Sequence, residues 1–403
     1  MGATDGFRFD YCPGAIRVGA GCVAELGAEL DRRDLDRALL VAGRTVGTTP
    51  AVADPIRAGL GDRLAGEFPE TTPAKTLGTA LAGLRAARDN DVDAVVAVGG
   101  GSTLDIATVL RALSTHGDGA EGVAREAAET GRLRVAPDGD PLPVVAVPTT
   151  LAGADLSDMA GVTLTLDRDA SGDEDPPTGG VHDPRLLPTA AYYDAALYRT
   201  TPTPLLAASA MNGFDKGVEA LYSPISTPVT DGAASRGLAL LRSGLGTVRE
   251  VPMDDERLAD VLAGIVAVQY GLTGTEGYRA SITHAFGHGF SHGYDVHQGT
   301  IHGIVAPHVL RYVFDRVDGR RDLVASALGV ADHANPAGAV IDAVAGVRDD
   351  LGLPTRLRDL DGVDRPDFAS IARAIRDDDL LAVAPAGLDP SVAEITDVLD
   401  RAW

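Results

Sequence analysis

The sequence predicts an α/β N-terminal domain built on a parallel sheet over residues 1–198, followed by an all-α C-terminal domain over residues 199–403. Three observations carry this. A chain of 403 residues exceeds what one hydrophobic core usually fills. The apolar runs ALLVAG (38–43), DAVVAVGGG (93–101) and PVVAVPTT (143–150) are continuous and end in Gly, Pro or Thr, as strands buried on both faces of a parallel sheet do. Between them, helical periodicity over 51–65, over 76–89 and from Ser102 to about His116 makes strand and helix alternate. Residues 167–183 (DRDASGDEDPPTGGVHD) are acidic and rich in Gly and Pro and read as an exposed loop. After YYDAAL (192–197) strand signals fade. Helical windows follow at 203–222, 228–245, 256–271, 276–292 and 301–316, with more to Trp403 and no internal repeat.

Composition narrows the function. Asp and Glu number 58 against 35 Lys and Arg, a net charge of −23, so nucleic acid and anionic membranes are excluded as partners by repulsion over most of the surface. Hydrophobic residues make up 45% of the chain, enough to exclude global disorder. No apolar run approaches the ~20 residues of a membrane span. The start, MGATDGFRFDYCPGAIR, lacks the basic and apolar regions of a signal peptide, and Gly6 stands where a myristoylation signal prefers Ser or Thr. Cys12 and Cys22 make no disulfide framework or metal cluster. A soluble cytoplasmic protein is expected. Lys75 and Lys216 are its only lysines, and Asp outnumbers Glu more than threefold. Short, hydrated carboxylates in place of lysine stems suit a high-salt (halophilic) cytoplasm; a high-GC genome writing Arg, Asp, Ala and Gly is the alternative.

Two strand ends can carry chemistry. At Gly99-Gly100-Gly101-Ser102 a buried strand runs straight into a helix. Glycines let the backbone approach an anion, and free N–H groups with the helix dipole favour phosphate. The competing reading is a tight turn with Ser102 as N-cap. The G-x-G-x-x-G fingerprint does not follow any predicted strand. A second strand ends in Pro148-Thr149-Thr150, whose hydroxyls fall at the carboxyl ends of the strands, where ligands bind in open α/β sheets. Six of the nine histidines fall within residues 282–310. His284, His288 and His292 recur every fourth residue on one predicted helical face, which points to a metal site or a proton relay. Taken singly, His292 and His308 read as structural hydrogen-bonding residues.

These segments together resemble the iron-containing alcohol dehydrogenase superfamily, which also includes glycerol dehydrogenase and dehydroquinate synthase. The resemblance runs through VGAG (18–21), GGGSTLD (99–105), PTTLAGADLS (148–157), DPRLLPTAAYYDAAL (183–197), MNGFDKGVEALYS (211–223) and the histidine segment. The PTT and NGFDKGVEALYSP segments are most similar to the maleylacetate reductase branch. The resemblance implies a dinucleotide-binding domain, a helical domain and a nicotinamide cofactor, NADP or NAD, in the cleft between them. It implies cofactor contacts at Gly100, Gly101, Ser102, Asp105, Thr149 and Thr150.

Departures from the family pattern shape the expected mechanism. Aligned on Val218-Glu219-Ala220, Asn212 stands at the family's metal-binding aspartate and Lys216 at its first histidine. His284 keeps one ligand position, and Gln298 stands at the last. A protonated lysine cannot coordinate a cation and repels one at close range. The metal is therefore expected to be absent, and the Lys216 ammonium to supply the charge and proton that a metal would otherwise manage. The alternative for Lys216 is a side chain that snorkels to solvent. His288, one turn after His284, is expected to relay a proton, and His302 to bind a substrate carboxylate, with Asn212 and Gln298 lining the same pocket. A relocated metal on Asp215, Glu219 and His284 is a rival arrangement. Many NAD-using relatives carry an Asp after the strand aligned with ALLVAG, where this chain has Gly43 and Arg44. That change favours acceptance of a 2′-phosphate and hence of NADP. The expected activity is hydride transfer between the nicotinamide and a small polar carbonyl or alcohol. A metal-dependent alcohol or polyol dehydrogenase and a catalytically inactive nucleotide-binding protein are the alternatives. Substrate identity, reaction direction and oligomeric state, including a homodimer, stay open.

Overall fold

The structure is a computed structural model that describes residues 14–168, 177–272, 280–290, 294 and 296–403. Cys12, His292 and residues 169–176 of the acidic 167–183 segment lie outside them. The chain divides into two compact units, Pro13–Thr201 and Pro202–Trp403.

The first unit carries the strands β1 (Ala15–Val18), β2 (Ala38–Gly43), β3 (Leu64–Thr71), β4 (Ala94–Gly99), β5 (Val144–Pro148), β6 (Met159–Thr163), β7 (Thr178–His182) and β8 (Ala190–Tyr193). Six form one sheet in the order β1-β8-β5-β4-β2-β3, with every pairing parallel. The runs expected as buried strands are β2, β4 and β5, and all of β4 and β5 is buried. Valines dominate them because β-branched side chains pack well on a pleated surface covered on both faces. The helices Leu77–Asp89 and Gly101–Ser114 follow β3 and β4.

Two sequence expectations need correction here. The helix expected over 51–65 spans Pro50–Leu60; Gly61–Arg63 form a 3-10 turn, and β3 begins at Leu64. β3 sits at the sheet edge, buries only Phe68 and Thr71 and carries Pro69, so it lacks the apolar run that marks an internal strand. The loop expected over 167–183 ends instead in β7, which pairs antiparallel with β6 through Met159–His182 and Thr163–Thr178.

The second unit is largely helical. Every residue from Leu206 to Tyr222 in the helix Thr203–Tyr222 is buried, so this is the unit's central element. The helices Pro228–Gly244, Asp255–Leu272, Ile282–His288 and Gln298–Arg316 occupy the predicted windows, the fourth far shorter than the 276–292 expected. Glycines let the helices approach closely. A Cβ on Gly217 would stand 2.8 Å from Leu238, and one on Gly237 would stand 2.8 Å from the Gly264 carbonyl. Among the described residues no helix is long and apolar enough to cross a membrane.

Candidate active site

In the α/β unit, strand order reverses at β2: its successor β3 lies on one side and β4 on the other. Ligands in open α/β sheets bind at the crevice this creates beyond the carboxyl ends of the strands. Gly43 and Gly99 end the two strands that flank it. Thr71 Oγ1 and Thr103 Oγ1 lie 2.7 Å apart there, both buried. A Cβ on Gly99 would meet Thr103 Oγ1 at 2.9 Å, and one on Gly100 would meet Thr150 Cγ2 at 3.1 Å. Any side chain at these positions would fill the space beside the first turn of the Gly101–Ser114 helix. The N-cap of that helix is Gly100, with no side chain capping it, which removes the reading of Ser102 as N-cap. Its first N–H groups are the kind that phosphate accepts. Thr149 and Thr150 are buried at the end of β5, and the Thr149 amide donates to the Gly99 carbonyl at 2.9 Å. Arg44 is exposed directly after Gly43.

Asp105 is engaged within the protein. Lys75 Nζ lies 2.8 Å from its Oδ2, and the Lys75 backbone is left-handed at φ 48°. The Lys75 carbonyl accepts from the Thr163 amide of β6 at 3.0 Å, so this pair joins the helix to the β6–β7 ribbon. Thr71, Thr103 and Lys75 were not singled out as site residues by their local sequence. Thr103 lies within GGGSTLD, and Lys75 is one of just two lysines in the chain.

The helical unit gathers the other candidates. Asn212, Lys216 and Glu219 succeed one another on the Thr203–Tyr222 helix at the spacing of one face, and all are buried. Asn212 Nδ2 donates to Gln298 Oε1 at 3.3 Å. The His284 and His302 rings meet edge to face with centroids 4.3 Å apart, and His302 Nδ1 lies 3.6 Å from Asp215 Oδ2. A Cβ on Gly287 would stand 2.3 Å from His302 Nε2, and one on Gly299 would stand 1.8 Å from the Ala208 carbonyl. Two glycines therefore let three helices converge on the cluster. His288 does not share this environment: it is exposed, and its Nδ1 lies 2.8 Å from Asp378 Oδ2. Asp378 lies 90 residues along the chain, and nothing in the local sequence marks it.

The charge states follow from burial. Desolvation, then the negative charge of Glu219, raises the Asp215 carboxyl well above its usual range. Burial by itself would raise Glu219. The neighbouring His284 and the main-chain donors of Ser281 and Thr283 outweigh that and hold it below the ordinary carboxylate value. Burial lowers His284 despite the pull of Glu219. It lowers His302 further, with neighbouring histidines and the Lys216 charge acting in the same direction. The pocket thus favours the ionised form of Glu219 and disfavours the charged forms of Asp215, His284 and His302. Among the described residues, Asn212 Oδ1, His284 Nε2 and both ring nitrogens of His302 are buried without a hydrogen-bond partner. Buried polar atoms are rarely left so unless a ligand or water completes them.

The α/β unit thus offers a glycine-rich strand end and the helical unit a buried Lys–His pocket, and similarity to known proteins makes the chain an alcohol dehydrogenase-like oxidoreductase. The chain is a member of the iron-containing alcohol dehydrogenase family, whose model matches residues 13–195 and whose C-terminal model matches residues 206–403. It is 27% identical over 362 residues to a maleylacetate reductase of Pseudomonas knackmussii, with 88% of this chain and 87% of the relative covered. It is 32% identical over 362 residues to a 4-hydroxybutyrate dehydrogenase of Cupriavidus necator, covering 87% and 89%. The fold is shared with sulfoacetaldehyde reductase of Bifidobacterium kashiwanohense, solved in complex with NAD+, at a TM-score of 0.84 and 20% identity over 98% and 99% of the two chains.

The family name implies a metal, and the donor set does not fit one. Lys216 has no lone pair to give when protonated, Asn212 and Gln298 bond to each other, and Glu219 is filled by donors from Ser281, Thr283 and His284. Among the described residues no three His, Cys, Asp or Glu side chains are arranged to hold a cation, the set Asp215, Glu219 and His284 included.

Proposed function

We propose that the protein interconverts a small polar carbonyl compound and its alcohol with NADP or NAD, independently of metal, and that Lys216 does the electrostatic work at the reacting oxygen. The observation that carries this reading is the buried Lys216 in a pocket whose remaining groups suit hydrogen bonding and not metal coordination. Gly43, Arg44, Gly100, Gly101, Ser102, Asp105, Thr149 and Thr150 would hold the dinucleotide; the glycines leave room at the strand ends for its pyrophosphate. A bound nicotinamide supplies or accepts the hydride. Lys216 presents positive charge where alkoxide character develops and donates a proton to that oxygen. Asn212 has a buried Oδ1 to offer a substrate hydroxyl, since its Nδ2 is engaged by Gln298. His302 binds a polar substrate group, His284 completes the pocket, and His288, exposed and paired with Asp378, links it to solvent. Relatives named for maleylacetate and 4-hydroxybutyrate put small carboxylate-bearing carbonyls first among compounds to test.

The experiment is metal analysis of protein purified without chelators, together with kinetics of Lys216→Met. The expected result is no stoichiometric iron or zinc and a kcat lowered by about 100-fold or more, the usual contribution of a positioned proton donor. Stoichiometric metal, or unchanged turnover in the variant, overturns the reading. Coenzyme choice is tested separately. NADP is expected to serve at least as well as NAD in kcat/KM, with Arg44→Ala lowering the NADP value by about tenfold through loss of one phosphate pair. A tenfold preference of the unaltered enzyme for NAD refutes the assignment of Arg44.

A further inference from the structure

We propose that Glu219 is a positioning residue: it fixes His284 in the tautomer protonated at Nδ1, so that the buried Nε2 can only accept a hydrogen bond. The inference rests on the reading of Lys216 above, and it divides the labour in the pocket. Lys216 is the donor to the reacting oxygen and His284 the acceptor.

The geometry of Glu219 carries this. Its carboxylate accepts from the amides of Ser281 at 3.0 Å, Thr283 at 2.6 Å and, more weakly, His284 at 3.4 Å. These belong to the first turn of the Ile282–His288 helix and the residue before it, where main-chain N–H groups have no intrahelical partner. The Tyr222 hydroxyl donates to Oε1 at 3.2 Å. A carboxyl surrounded by donors has no role as a donor itself. The 2.5 Å contact between Glu219 Oε2 and His284 Nδ1 therefore places the hydrogen on Nδ1. With the hydrogen on Nδ1, Nε2 is the ring's remaining atom for a ligand, and among the described residues that buried atom has no partner. A carboxylate that fixes the tautomer and orientation of a functional imidazole is a general device, and losing it commonly costs about 10–100-fold in function.

Because the same carboxylate also caps a helix, the test must separate the two roles. Protein labelled with 15N-histidine is examined by two-bond 1H–15N correlation, with the His284 signals assigned by their loss in His284→Gln. The expected pattern in the unaltered protein is Nδ1–H; an Nε2–H or doubly protonated ring overturns the proposal, whether or not any Glu219 variant folds. Glu219→Gln is expected to shift the tautomer and lower kcat by about tenfold or more with KM within about threefold. Added to His284→Gln, it should then cost no further kcat. An additive loss in that double-mutant cycle means that Glu219 acts only as a cap, and the proposal fails. If Lys216→Met keeps turnover while the tautomer stands, the proposed function falls and the positioning of His284 does not.

Discussion

His284, His302 and His308 are all held below the ordinary imidazole value, each chiefly by burial. Such groups take up a proton less readily in the folded protein than in the unfolded chain, which does so near pH 6.5. Their contribution is complete above that pH and is lost as pH falls toward their folded values. Asp215 acts in the opposite sense, because the folded state keeps its proton above the ordinary value of 3.8. Its contribution weakens as pH rises from there. Between pH 5.5 and 6.5 three imidazoles stand against one carboxyl, so stability should rise with pH. Urea unfolding at the two pH values checks this, and equal midpoints would refute it. His302→Gln should flatten the dependence. The sequence brings Lys216, Asn212, His284, Gln298 and His302 forward only through the family resemblance, and it does not mark the partners that the structure gives its histidines and threonines. Asp378 and Thr71 sit far along the chain from His288 and Thr103, and only the fold brings such pairs together.

The elements that read most clearly in sequence are those buried all round. β4 and β5 are unbroken apolar runs, and the Thr203–Tyr222 helix is apolar or small at nearly every position. Edge elements read poorly because solvent and neighbours share their residues: β3 carries Glu67, Pro69 and Glu70, and β1 exposes Ile16 and Val18. Glycine illustrates the same limit within helices, since sequence alone cannot separate a glycine that admits a neighbour from one that does not. Gly299 lies against the Ala208 carbonyl, a rigid backbone atom 1.8 Å from where a Cβ would stand, whereas a Cβ on Gly346 meets nothing within 4 Å. Gly299→Ala should therefore force the Gln298–Arg316 and Thr203–Tyr222 helices apart and cost about 3 kcal/mol, with loss of turnover as Asn212 and Gln298 separate. Gly346→Ala, in the helix Pro336–Asp350, should gain about 0.5–1 kcal/mol from helix propensity. Opposite shifts in urea midpoint are the expected outcome. Shifts of the same sign would mean that the close approach at Gly299 does not control this packing.

At the scale of the whole molecule the dominant fact is a charge of −23 with only two lysines among 35 basic residues. One lysine is committed to Asp105 and the other stands in the candidate site, so lysine contributes almost nothing to balancing the surface. Self-repulsion of this size opposes the compact state at low ionic strength. Salt shortens the Debye length from about 10 Å at 0.1 M to about 3 Å at 1 M, so repulsion between neighbouring surface carboxylates is relieved within that range. A chain made acidic merely by a high-GC genome gains that relief and no more: its thermal midpoint should climb up to about 1 M KCl and then level. A surface adapted to concentrated salt predicts a different curve, because hydrated carboxylates keep competing for water after screening is complete. We expect the second curve, with the midpoint in KCl rising from 0.1 M and continuing to rise between 1 and about 3 M. Potassium chloride is the right salt, since sulfate strengthens hydrophobic burial in almost any protein and would raise the midpoint for an unrelated reason. A plateau at about 1 M assigns the acidity to genome composition, and a midpoint that falls with KCl would show that specific ion pairs such as Arg57–Glu67 outweigh the net repulsion.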